Sequence, residues 1–120
     1  MHVDRKTIRT ITILYPKGEF WGGDETDELE KLILEESKAG NLKLVINLSH
    51  CTYMVSTAIG KLAMAKRDYD ARQGRVVLCE MNRRLQTMLT VAGLILRGGL
   101  TYYPTETEAL AGMAEGILAG

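Results

Sequence analysis

Cysteine is scarce in this chain of 120 residues, with only Cys51 and Cys79 present. Two thiols are too few for a disulfide framework, and they have no metal-ligand spacing with each other or with His2 and His50. No metal is assigned, and both thiols are expected to be buried and reduced. An excess of positive charge is missing too: fifteen Lys and Arg balance fifteen Asp and Glu. With no basic block either, the electrostatic footprint of a nucleic-acid binder is lacking. Apolar runs are far shorter than a membrane span, and Met1-His2-Val3-Asp4-Arg5-Lys6 lacks the apolar core of a secretory signal. A cytoplasmic protein with no membrane span is expected. Ser56 lacks the G-x-S-x-G elbow context and His50 is the only histidine beyond the N-terminal stretch, so no hydrolytic triad is expected. The pairs Gly22-Gly23 and Gly98-Gly99 match neither a P-loop nor a dinucleotide fingerprint. Neither an enzyme nor a cofactor site is expected.

What is present is a regular alternation of strand and helix signals. The length and a 46% hydrophobic composition suit one domain over residues 1–120. Thr10 to Tyr15 alternates like a strand, Pro16-Lys17-Gly18 interrupts it, and Glu19-Phe20-Trp21 follows, giving two early strands or one bent strand. Asp24 is a good N-cap for a first helix with a stripe of Leu29, Leu32 and Ile33, closed by Gly40-Asn41. Its acids Asp24, Glu25, Asp27 and Glu28 suit the positive end of a helix better than a metal. Leu42 to Leu48 is an almost continuous apolar run, as expected for a parallel strand covered on both faces in the middle of a sheet.

A second helix carries Ile59, Leu62, Ala63 and Tyr69 and ends at Gln73-Gly74, where the glycine is expected in the left-handed cap position. Arg75 to Glu80 predicts a strand, and Asn82 caps a third helix with Leu85, Met88, Leu89 and Ala92 on one side. Arg97 to Tyr103 can supply a last strand, and Thr105 with Glu108 forms a capping box for a helix bearing Leu110, Met113 and Ile117. This order predicts an α/β fold with a mixed, mainly parallel sheet, about four helices and one antiparallel or edge segment.

The most informative stretch runs from Asn47 to Gly60, where the apolar strand leads into two adjacent hydroxyls, Ser56 and Thr57, at a helix start. One can serve as a helix cap, and free N–H groups with a positive dipole end would favour a phosphoester there. Lys61, Met64, Asp68 and Arg72 form the helix face opposite the apolar stripe, with Met64 suited to an adaptable contact. Trp21 suits either a partner anchor or a core or rim position.

Asn47-Leu48, Tyr53-Met54, Val55-Ser56-Thr57-Ala58 and Gly60, with Gly74-Arg75-Val76-Val77-Leu78-Cys79 and Val91-Ala92-Gly93-Leu94, resemble the STAS domain of bacterial anti-sigma-factor antagonists. The hallmark of that family is a strand, a short loop and an Asp-Ser-Ser-Gly or Asp-Ser-Thr-Gly helix start. Here Val55 stands at the acidic position and Ala58 at the glycine. The resemblance implies a STAS-like fold and a regulatory binding module whose partner is an anti-sigma factor or related switch-protein kinase. By position Thr57 matches the family's phosphoacceptor and Ser56 the hydroxyl before it. Met54, Val55, Ser56, Thr57, Lys61 and Met64 are then expected to meet the partner, with Met54 and Val55 exchanging charge specificity for apolar contact or simply buried. The alternative implied is a non-phosphorylated STAS scaffold subunit of a signalling assembly or lipid-transport complex. A homo-oligomer is compatible with either.

Overall fold

The computed structural model describes the backbone of residues 2–95 and 99–119, and side chains up to residue 114. The order of elements is β1 Val3–Ile8, β2 Ile11–Pro16, β3 Gly18–Phe20, α1 Asp24–Lys38, β4 Lys43–Asn47 and β5 Cys51–Met54. There follow α2 Ser56–Ala71, β6 Arg75–Cys79, α3 Arg83–Val91, β7 Thr101–Tyr103 and α4 Glu106–Ala119. Five strands form one sheet in the order β1-β2-β4-β6-β7, and β3 pairs with β5 in a small second sheet. Among the described residues only the β1–β2 pair is antiparallel; every other pairing is parallel. This is the predicted mixed, mainly parallel α/β sheet, with β4 at its centre and four helices.

Two strands were not expected from the sequence. β1 lies in the N-terminal stretch and pairs with β2 from Val3↔Pro16 to Ile8↔Ile11, with Arg9 at φ 57 in the turn. Its Asp4, Arg5, Lys6 and Thr7 are exposed, and charges on an edge strand discourage pairing with another sheet. β5 lies in what reads as a loop between strand and helix, and pairs with β3 rather than with the main sheet. For the last strand, Arg97 and Gly98 lie outside the described residues, and strand pairing covers Thr101–Tyr103.

Strand alternation divides the core in two. Leu14, Ile46 and Leu78 are register partners across β2, β4 and β6, and they bury against Leu29 and Ile33 of α1, Leu62 and Tyr69 of α2, and Leu85 and Leu89 of α3. Ile13, Val45 and Val77 form the neighbouring row and face the other way, toward Ala109 and Met113 of α4. Glu106 fixes the start of α4: its Oε1 accepts from the Tyr15 hydroxyl at 2.7 Å and from Asn47 Nδ2 at 2.9 Å. The Glu106 N–H donates to Glu80 Oε2 at 2.9 Å.

Helix ends follow the sequence in part. Asn82 caps α3 by accepting from the Leu85 N–H at 2.8 Å, and Thr105 Oγ1 accepts from the Glu108 N–H at 3.1 Å. Asp24, expected as a cap, is instead the first residue of α1, and the cap position is held by Gly23 without a side-chain bond. After α2 the left-handed residue is Gln73 at φ 61, not Gly74. Gly74 is needed for another reason: a Cβ there would lie 2.8 Å from the Leu42 carbonyl oxygen.

Candidate functional site

β5 delivers the Val55-Ser56-Thr57-Ala58 turn to the surface. The Val55 N–H donates to the Phe20 carbonyl at 2.9 Å, which continues the β3–β5 pairing up to the helix, and the Val55 carbonyl accepts from the Ile59 N–H at 3.0 Å. Val55 itself is therefore the N-cap, with extended backbone, and no side chain caps α2. The expectation that Ser56 or Thr57 caps the helix is corrected here. Both already lie inside the helix, exposed, and no hydrogen bond engages either hydroxyl among the described residues. Ala58 and Ile59 behind them are buried and hold the turn to the core.

The first turn of α2 carries no acidic residue, so its free N–H groups and positive dipole end are uncompensated. α1 differs, with Asp24, Glu25 and Asp27 in its first turn. There Glu25 folds back to accept from the Trp21 N–H at 2.6 Å and the Thr26 N–H at 3.2 Å. Those bonds, led by that from Trp21, hold the Glu25 carboxyl below the usual range. The turn from β3 into α1 passes over Thr57: Gly22 has φ +86, and a Cβ there would meet the Thr57 side chain at 3.6 Å.

Beside this turn stands an aromatic stack. Trp21, 59% exposed, lies with its ring 4.9 Å from that of Tyr53, and the Arg84 guanidinium sits 4.9 Å from the Tyr53 centroid. Trp21 is thus a surface residue, not a core one. From Tyr53 an apolar groove of about 560 Å³ opens between α2 and α3, lined by Val55, Ser56, Ile59, Thr87, Met88 and Val91. Val91 is 82% exposed. Ser56 borders the groove, whereas Thr57 faces Gly22.

The residues expected to meet a partner do not all share this surface. Met54 is fully buried in the core against which Val55 packs, because β5 turns it inward beside Phe20, so it has no surface to offer a partner. Met64 is partly buried against the same core. Lys61 donates to Glu30 of α1 at 3.0 Å, and Asp68 accepts from the Ser37 hydroxyl at 2.5 Å. That bond, ahead of Arg72, holds the Asp68 carboxyl below its ordinary range. The face of α2 opposite the expected stripe is thus turned to α1, and the open side of α2 looks toward α3. Val55, Ser56 and Thr57 do lie together at the surface. Arg84 was not singled out by sequence reasoning, and Val91 only within the stretch that carries the family resemblance; the signal was faint, an arginine at the start and a valine at the end of an amphipathic helix.

The family model for the STAS domain matches residues 2–109. The chain belongs to the STAS domain family. Its fold is shared by solved structures of low sequence identity. One is a Thermotoga maritima protein, at TM-score 0.84 and 19% identity, covering 93% of this chain and 94% of that one. Another is the Bacillus anti-sigma factor antagonist SpoIIAA in its unphosphorylated form, at TM-score 0.74 and 15% identity, covering 95% of this chain and 98% of that one. A third is Moorella thermoacetica RsbS, at TM-score 0.80 and 16% identity, covering 96% and 97%. Comparison with curated proteins gives no significant match. Among the described residues, no helix of this STAS domain is long and apolar enough to cross a membrane, and no three His, Cys, Asp or Glu side chains cluster as metal ligands.

Proposed function

We propose that this STAS domain is a regulatory protein-binding module, an anti-sigma-factor antagonist that acts in the cytoplasm without catalysis of its own. Its partner is an anti-sigma factor or related switch-protein kinase, and its switch is phosphorylation at Thr57, with Ser56 as the adjacent acceptor. The observation that carries the reading is the pair of exposed, unbonded hydroxyls on an uncompensated helix start, next to an apolar groove. The unmodified turn presents a neutral, partly apolar surface. A phosphoryl group would add about −1.5 to −2 charges there, favoured by the helix end but costly to desolvate against a partner. Modification therefore stabilises the free domain and weakens the complex.

Incubation with the kinase-type anti-sigma factors of its host and ATP, followed by mass spectrometry, tests this. The expected result is one phosphate on the peptide containing Ser56 and Thr57, with loss of the complex; an unmodified peptide and no complex would sink the reading. Thr57→Ala retains binding, whereas Thr57→Glu weakens it. Val55 favours a second reading, a constitutive scaffold subunit, because it removes the acidic group from the site. Light scattering that finds a multimer unaffected by Thr57→Glu would support that reading.

A further inference from the structure

The apolar groove between α2 and α3 lies in the part of the molecule with the fewest carboxylates. The sequence has no Asp or Glu between Glu36 and Asp68, and none between Glu80 and Glu106. Those two acid-free segments supply both walls of the groove. Arg83 and Arg84 open α3 at one end, and at the other a second hollow, sharing Ala92, is bordered by Lys66 and Arg67. Lys66 is paired with Asp70, but Arg67, Arg83 and Arg84 have no carboxylate partner among the described residues. A neutral protein thus exposes an apolar trough with unpaired cations at both ends.

We infer that the α2–α3 groove docks an acidic amphipathic helix of a protein partner, its apolar ridge seated on Ile59, Met88 and Val91 and its carboxylates on Arg84 and Arg67. The span of α2 from Val55 to Arg67 is about 18 Å at the helical rise, room for roughly three turns of a docked helix. A second copy of the chain is a poor occupant. Its most acidic helix is α1, but Leu29 and Ile33 there are buried, so it has no acidic apolar ridge to present. The inference deepens the proposed function only in taking the occupant to be a protein; a phosphate at Ser56, which borders the groove, would face the negative helix directly, and one at the adjacent Thr57 would repel it from beside the groove.

A displayed library of random peptides of about 16 residues, long enough to cover the groove, is selected on the unphosphorylated chain. The expected enrichment is of sequences with apolar residues at helical spacing flanked by Asp and Glu. A chosen binder should lose about tenfold or more in affinity on Val91→Asp and on Arg84→Glu, the weight of an interface anchor. Both sites are exposed, so circular dichroism should show an unchanged fold. Enrichment of neutral, basic or non-periodic peptides, no enrichment, or binding unaffected by both variants overturns the inference. So does Arg84-dependent binding of phosphatidylserine vesicles or duplex DNA in place of peptides. A peptide that binds but is not released by Thr57→Glu would defeat the switch and leave the groove standing. A kinase complex indifferent to Val91→Asp would do the reverse.

Discussion

A Cβ added at Gly22 would lie in van der Waals contact with the side chain of Thr57, 3.6 Å from its Cβ. One side of the candidate phosphoacceptor is therefore walled by a turn that needs φ +86. Gly22→Val should cost about 1–2 kcal/mol for the left-handed backbone alone. It should also narrow access to Thr57. Urea unfolding checks the first effect, and site-resolved phosphopeptide analysis the second, with modification moving from Thr57 toward Ser56.

Ser56 is the first residue of a helix with no acid in its first turn. Ser56→Asp should raise stability by about 0.3–1 kcal/mol at low ionic strength, and the gain should shrink in high salt. The same variant should weaken partner binding. A stabilised fold with a weakened complex separates the role of this residue in folding from its role in recognition.

Met54 is a core residue, so its removal should be felt in folding. Met54→Ala should lower stability by about 2–5 kcal/mol, as for other buried large-to-small changes. At temperatures where the variant remains folded, affinity for a partner should be nearly that of wild type. A selective loss of affinity with unchanged stability would place Met54 at the contact surface after all.

Burial pushes the Cys51 thiol up to about 11 and the Cys79 thiol up to about 12, the latter helped by Glu106 and Glu80. Both should resist alkylation in the native protein at pH 8 and react on unfolding. Their contribution to stability is fully present below the ordinary thiol value of 9.0 and is lost as pH rises toward 11 and then 12. Urea midpoints measured from pH 8 upward should fall over that window.

Much of the fold was legible because the apolar runs of β4 and β6 and the stripe of α3 are strong periodic signals. β1 was not, since four exposed polar residues in a row carry no alternation; only the sheet edge explains them. β5 was hidden for a related reason. Three of its four residues pair with β3, far away in sequence, and a short strand whose partner is distant leaves little local trace. At the site, the exposed hydroxyls and their helix could be read directly. Their failure to cap it could not, because that depends on where the backbone enters the helix. The groove was invisible in sequence since it is made by the approach of α2 to α3, and neither helix alone encodes the gap.

The division of the sheet into two cores has a consequence for how such a domain changes over time. The row Ile13, Val45 and Val77 with α4 forms a keel that shares no side chains with the face bearing the switch turn. Substitutions that reshape α2, α3 and the groove between them leave that keel intact. A lineage can therefore retune which partner it recognises without first renegotiating whether it folds.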